Sequence, residues 1–427
     1  MTSTTRLGSA NTYDNALRNL SARQSTLANL QENLTSGKKV VRASDDPTGS
    51  AQAERALTRI SRIQTDQRAL ESQRNSISMA EGTLGDVTEA MQQFRELVVS
   101  AGNATHTPVE RKAIAVQLSG LRDQIFSLAN RKDTNGQPLF GALGSALAPF
   151  VGPQAAAPDY TFNGLPGQTA SSEVAIPFSL DGDSAFMHQT KRDGVYNVSV
   201  SNTTTGPIAG SRQLLTDNVA LAPPAAPSGA SYSITFSAVG PGATAGTNTA
   251  SYTITQTAGP VDPAFAALTW PVTVPDYPSN KPVTIAVAGM TGLALNITGT
   301  PDNGDTVVVD PNPSVFSVLD DAVRDIGEAA NRNAATQAVS QALNNLDIGM
   351  ARVAAVRGKA GDLLNRADRI TSNQENRNIQ LEADRSRAED LDMIKGVSDF
   401  QNQNTGYQAA LQSYAQVQKL SLFNYIG

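Results

Sequence analysis

The chain has 427 residues, a formal net charge of −6, two histidines and no cysteine. The acidic balance argues against a nucleic-acid partner, which needs a basic face, and the missing cysteine removes disulfides, thiolate nucleophiles and thiolate metal sites. No apolar run nears the ~20 residues that cross a bilayer, so no membrane partner is expected; nor does Met1-Thr2-Ser3 open a basic-then-apolar leader, so no cleaved signal is expected.

The first predicted element is a helix in which Tyr13, Leu17, Leu20, Gln24, Leu27, Gln31 and Leu34 alternate by four and three, as a packing stripe requires. Asp46-Pro47 opens a second: Asp46 can accept amide hydrogen bonds as N-cap, and Pro47 suits the first turn. Asp45 and Asp46 could in principle share a proton as an acid–base pair, but beside Pro47 the capping role is the simpler reading. Ala56, Ile63, Leu70, Ile77, Leu84, Met91 and Val98 then recur every seven residues. A helix from Pro47 to near Asn103 is ~85 Å long at 1.5 Å per residue, so much of it must be covered by other helices. Its companion stripe begins as Ile60, Gln67, Arg74 and Glu81 and crosses to Ala80, Val87, Phe94 and Ala101, which predicts different neighbours at its two ends. A third helix begins near Pro108, with Ile114, Leu118, Leu121, Ile125 and Leu128 on one face.

The composition then changes. Of the 22 prolines, 19 lie between Pro149 and Pro313, and residues 142–315 carry 15 charges in 174 positions, about half the density of the whole chain. Tyr232, Ile234, Phe236 and Ala238 alternate with Ser231, Ser233, Thr235 and Ser237, a period of two that predicts a strand. Ser251-Tyr252-Thr253-Ile254-Thr255 repeats the pattern, with Gly240–Ala250 as the expected hairpin loop. Tyr196–Val200, Trp270–Val274, Val283–Val287 and Thr306–Val309 are further strand candidates, together making a β-sandwich or barrel-like module. Helical patterning returns as Val339, Leu343, Leu346, Met350, Val353, Arg357, Ala360 and Leu364, and again as Met393, Val397, Phe400, Asn404, Tyr407, Leu411 and Tyr414. The expected fold is therefore a multidomain α plus β protein: long N- and C-terminal coiled-coil-like helices forming an α-helical bundle, with an inserted antiparallel β-rich domain. The expected divisions are 1–45 with 385–427 as terminal assembly helices, 46–141 with 316–384 as the bundle, and 142–315 as the β domain. Gln24, Gln31 and Asn404 at core positions weaken a lone coiled coil, so the ends are expected to order on assembly and to be disordered in the free monomer.

Candidate chemistry is sparse. His106 sits in a helix connection and His188 in the β module, too few for a zinc site or a Ser/His/Asp triad. Asp181-Gly182-Asp183 and Asp302-Asn303-Gly304-Asp305 lack the ligand spacing of a calcium loop and read as tight turns. No phosphate loop is present. No catalytic residue, cofactor or metal is expected.

Leu30-Gln31-Glu32-Asn33-Leu34-Thr35-Ser36-Gly37-Lys38-Lys39-Val40, Ser44-Asp45-Asp46-Pro47, Arg95-Glu96-Leu97, Gly102-Asn103-Ala104-Thr105, Arg111-Lys112-Ala113-Ile114-Ala115, Asn135-Gly136-Gln137-Pro138-Leu139-Phe140-Gly141 and Leu420-Ser421-Leu422-Phe423-Asn424-Tyr425-Ile426 together resemble the flagellin superfamily. The proline after the acids and the Leu-Phe-Asn-Tyr-Ile ending are more like its hook-associated junction members than its bulk filament subunits, the alternative reading. Ala43 and Pro138 depart from the family pattern, and residues 142–315 match nothing nameable. The resemblance implies a structural flagellar protein exported unfolded without a cleaved signal to an extracellular place at the distal end of the hook. Its implied partners are the first hook-associated protein, flagellin, like subunits in a ring and an export chaperone, with the β domain facing outward. It also implies that Tyr13, Leu17, Leu20, Leu27 and Leu34 with Tyr407, Leu411, Tyr414, Val417 and Leu420 form the packing surface, and that Ser44, Asp45, Asp46 and Pro47 form the bend beside it.

Overall fold

The computed structural model describes residues 9–155, 158–203, 206–208, 214–262, 265–278 and 281–426. In chain order come helices α1 (Ser9–Ser36), α2 (Pro47–Ala101) and α3 (Pro108–Ala129), the short strands β1 (Phe150–Val151) and β2 (Thr161–Phe162), and short helices α4 (Gly182–Phe186) and α5 (Thr190–Asp193). Strands β3 (Tyr196–Asn202), β4 (Leu214–Thr216), β5 (Ala220–Leu221), β6 (Ser231–Pro241), β7 (Thr247–Ala258), β8 (Val272–Pro278), β9 (Val283–Val287), β10 (Leu293–Gly299) and β11 (Asp305–Pro311) follow. Helices α6 (Val315–Gly327), α7 (Arg332–Glu389) and α8 (Met393–Ile426) close the chain. Among the described residues no helix is long and apolar enough to cross a membrane.

The chain divides into two compact units, one ending at Arg68 and resuming at Arg369, the other Ala69–Asp368. In the larger unit the seven-residue stripe of α2 is the core: Ile77, Leu84, Met91 and Val98 are fully buried, and so are Phe94 and Val87 from the companion stripe. Leu346, Val353 and Ala360 of α7 are buried as well, and Arg357–Glu81 (2.7 Å) and Arg95–Asp347 (2.9 Å) pair α7 with α2. Helix α3 starts with a capping box: Thr107 Oγ1 accepts from the Glu110 amide and Glu110 Oε2 from the Thr107 amide. Buried Arg111 donates to the carbonyls of His106 (2.8 Å) and Ala329 (2.9 Å), tying the start of α3 to the end of α6. Phe126, Phe150, Phe186 and Phe316 cluster where α3 and α6 meet the short strands, mostly edge to face, with centroids 5.2–5.5 Å apart.

The β region is two antiparallel sheets over one core. One has strand order β3-β11-β6-β7-β8; in the other, β10 pairs with β9 on one side and with β4 and then β5 on the other. Tyr232, Ile234, Phe236, Tyr252 and Ile254 from the first sheet meet Ile285, Leu295 and Ile297 from the second. The sandwich alternative is thus the one adopted. Two strand expectations need correction. Pro271 has no amide for the ladder, so the strand expected at Trp270 starts at Val272, and Trp270 turns against Tyr252 and Phe265 instead. The hairpin loop expected over Gly240–Ala250 is much shorter, because β6 runs to Pro241 through a register shift at Ser237–Gly240, where Ala238 takes φ 49°.

An edge strand leaves unpaired backbone groups, and α7 supplies side chains to meet them. Gln341 Oε1 accepts from the Val198 amide at 3.0 Å, Asn345 Nδ2 donates to the Tyr196 carbonyl at 2.9 Å, and Gln337 Oε1 accepts from the Thr216 amide at 2.9 Å. The three amides are four residues apart, one helical face, and all are buried. Buried Asp193 adds a charged tie from the end of α5, pairing with Arg192 (2.7 Å) and with Arg352 of α7. Burial alone would raise its carboxyl, but the Arg192 hydrogen bond and the Gln189 amide hold it below the usual carboxylate range. Replacing Gln341 with leucine leaves the buried Val198 amide unsatisfied and should lower stability by about 1–3 kcal/mol; an unchanged denaturant midpoint would refute the role given to this amide row.

Candidate assembly surface and the bend beside it

In the smaller unit α1 and α8 lie side by side. Gly396 permits the approach near the bend: a Cβ there would stand 3.2 Å from Leu34 Cδ2 and 2.8 Å from Leu391 Cδ2. Leu20, Leu27, Leu34, Tyr407 and Tyr414 are half-buried, whereas Leu17 is 41%, Leu411 42% and Met393 49% exposed. The two-helix pair thus covers only part of its apolar stripe. The side chains of Tyr13, Val417 and Leu420 lie outside the described residues.

The break between α1 and α2 sits against the break between α7 and α8. Gly37, with φ 72°, ends α1 in the left-handed region. The Lys39 and Val40 amides donate to the Glu389 carbonyl (2.8 and 3.4 Å), and the Leu391 amide donates to the Gly37 carbonyl (2.9 Å). Lys38 Nζ pairs with the Glu389 carboxylate, Arg385 Nη1 reaches the same carboxylate at 3.2 Å, and Lys39 Nζ donates to the Arg387 carbonyl. Within the loop, Asp45 Oδ2 accepts from the Arg42 amide at 2.8 Å, and the Ser44 hydroxyl donates to Asp45 Oδ1 at 3.4 Å. Asp46 Oδ1 accepts from the amides of Thr48 and Gly49, both at 3.0 Å, and Pro47 occupies the first turn. The Gly49 amide is the main cause holding the Asp46 carboxyl below its ordinary value. Asp392 does the same for α8, accepting from the amides of Ile394 (3.1 Å) and Lys395 (3.2 Å). Sequence reasoning overlooked this second cap and the Glu389 contacts; the run Asp392-Met393-Ile394-Lys395 carried the signal for the cap, while the ion pair spans 351 residues and had none.

Among the described residues no group of three His, Cys, Asp or Glu could hold a metal ion. Asp181 Oδ1 accepts from the Asp183 amide and its Oδ2 from the Ser184 hydroxyl, capping α4, and Asp305 Oδ2 accepts from the Asp302 amide in a turn completed by Gly304 at φ 83°. His106 accepts Arg111 at its carbonyl in the α2–α3 connection. Burial pushes the His188 imidazole down to about 4.

Two measurements follow from these contacts. Glu389→Ala removes the carboxylate shared by Lys38 and Arg385, so the Lys39 and Val40 amides should exchange faster with deuterated solvent while α2 amides beyond Gly49 keep their rates. Equal rates at Lys39 and Val40 would show that the side chain does not hold the bend. For His188, the folded value lies below the ordinary 6.5, so its stabilising preference for the neutral form is complete above 6.5 and is lost as pH falls toward about 4. His188→Gln should therefore flatten the acid side of the stability profile between those limits; an unaltered slope would count against the assignment.

Residues 9–143 match the bacterial flagellin N-terminal helical region, and residues 334–426 match the bacterial flagellin C-terminal helical region. Flagellar hook-associated protein 3 of Salmonella typhimurium is 34% identical over 140 residues, covering 32% of this chain and 44% of that protein. A flagellin of Clostridium tyrobutyricum is 32% identical over 126 residues, 30% of this chain and 33% of the relative. The matched stretch thus spans less than half the length of these curated relatives. Among solved structures, flagellar hook-associated protein 3 of Legionella pneumophila has a TM-score of 0.59 at 22% identity, covering 77% of this chain and 97% of that one. FlgL of Xanthomonas campestris has a TM-score of 0.54 at 23% identity, covering 77% and 98%. These structures share the fold: long terminal helices around a strand-rich centre.

Proposed function

The chain belongs to the bacterial flagellin family, and we propose on that premise that it is a structural, non-enzymatic subunit at the junction between hook and filament. The observation that carries the reading is the α1–α8 pair, formed from the two chain ends and left with a partly uncovered apolar stripe. A surface of that kind gains stability only by meeting other helices. The divergence toward the hook-associated branch rests on the Asp46-Pro47 start of α2 and on the likeness to relatives carrying that name. On this reading the partners are the first hook-associated protein, flagellin, further copies in a ring and an export chaperone, and the place is the extracellular, distal end of the hook. The three-part division made from sequence also enters here: 1–45 with 385–427 assemble, 46–141 with 316–384 form the supporting bundle, and 142–315 face outward. Tyr13, Leu17, Leu20, Leu27, Leu34, Tyr407, Leu411, Tyr414, Val417 and Leu420 make the contacts, while Ser44, Asp45, Asp46 and Pro47 set the bend.

Immunolabelling of intact cells should stain one spot per flagellum at the hook's far end; staining along the whole filament would make the chain a bulk flagellin instead. Removing residues 1–35 or 400–427 should abolish incorporation and leave the thermal transition of the β region in place. Incorporation of either truncated chain would remove the role given to the terminal pair.

A further inference from the structure

A cleft of about 410 Å³ opens on one side of the α2–α7 pair in the smaller unit, lined by Gln52, Arg55 and Arg59 of α2 and by Leu381, Asp384 and Arg387 of α7. Arg387 pairs with Asp384 across one turn. Arg55 and Arg59 are exposed, as is Arg62 one turn on, and no carboxylate among the described residues forms an ion pair with any of the three. Residues four and three apart share a helix flank, so the three arginines form one basic row, ended one turn beyond Arg62 by Asp66, on a chain of net charge −6.

The complementary feature lies on the outer side of α2 in the larger unit. Glu89 and Glu96 are exposed, point away from buried Leu84, Val87, Met91 and Phe94, and are without an ion-pair partner among the described residues. Their neighbours Asp86 and Arg95 are already paired, with Arg131 and Asp347. Arg55 to Arg62 and Glu89 to Glu96 are both seven residues, a rise of about 10 Å, so the end charges of the two rows come into register when two such helices run side by side.

We propose that the Arg55–Arg59–Arg62 row of one copy of this chain docks on the Glu89–Glu96 row of a second copy. The inference rests on the assembly reading above and adds the copy-to-copy surface, which is separate from the α1–α8 stripe. The two rows are unlike, so the contact is heterologous: it repeats from copy to copy and either closes as a ring or continues as a helix. Each exposed pair contributes little alone and is screened by salt; the rows act in recognition and register, where like charges are repelled.

The test uses the full chain in four forms: wild type, R55E/R62E, E89K/E96K, and the fourfold reversal that carries both pairs. Self-association is read by sedimentation velocity at rising concentration and low salt, and uptake onto isolated hooks is read separately. Each single reversal should weaken self-association at least about tenfold, added salt should weaken the wild type, and the fourfold form should recover. Recovery in the fourfold form excludes a folding defect as the cause of the loss. Wild-type behaviour of either single reversal, or a fourfold form that stays dissociated while melting like wild type, overturns the contact. If self-association follows the charges but no form enters hooks, the junction reading fails and the contact stands; if hooks take up every form equally, the contact fails and the reading stands.

Discussion

The β module is joined to its helical support by one physical constraint: an edge strand must find partners for its outward amides and carbonyls. β3 finds them on Gln341 and Asn345 of α7, and β4 of the other sheet finds one on Gln337, a turn earlier on the same helix face. Buried side-chain amides are costly when unpaired and directional when paired, so this row fixes position along the strand in a way that an apolar contact would not. A shift of α7 by one residue would take all three away from their backbone partners at once. The Asp193–Arg352 pair and the edge-to-face phenylalanines of α3 and α6 add attachment, but the amide row is what reads the register of β3 and β4.

The same logic explains the length of α7. A helix that only covered an apolar face could be replaced by two shorter ones. This one runs from Arg332 to Glu389 unbroken, giving its first turns to the β edge, its middle to the stripe of α2, and its last turn, through Glu389, to the bend at Lys38–Val40. Three tasks thereby fall on successive stretches of one continuous helix.

How much of this was legible in the sequence depends on the range of the interaction. The stripes of α2 and the period-two strands β6 and β7 were readable because periodicity is local and burial enforces it; so was Asp46, whose acceptor contacts lie within three residues. Strands β4 and β5 are too short to carry a period, but helix α6, with Val315, Leu319, Ala322 and Ile326 four and three apart, and strand β10, with Leu293, Leu295 and Ile297 alternating, carried a local signal that was passed over. The amide row was readable in principle, since Gln337, Gln341 and Asn345 recur every fourth residue, but polar residues at that spacing ordinarily mark a solvated face. What decides between the two is the partner strand more than a hundred residues away, and nothing local encodes it. Trp270 shows the opposite error: a local β-former misled because the residue after it has no amide to give.

The terminal helices raise a different question, since their candidate surface is defined by what is missing. Leu17, Met393, Val397 and Leu411 stay exposed in a pair where Leu20, Leu27, Leu34, Tyr407 and Tyr414 are half-buried, and two helices cannot enclose a stripe that faces beyond both of them. Their anchorage, by contrast, is complete: Gly37, Glu389, Asp46 and Asp392 satisfy the backbone and charge at both breaks. An end that is firmly based and incompletely covered can be aimed without being finished. That combination suits a subunit whose last contacts are supplied by its neighbours, because the base sets the direction of the helices and leaves the free energy of covering them to assembly.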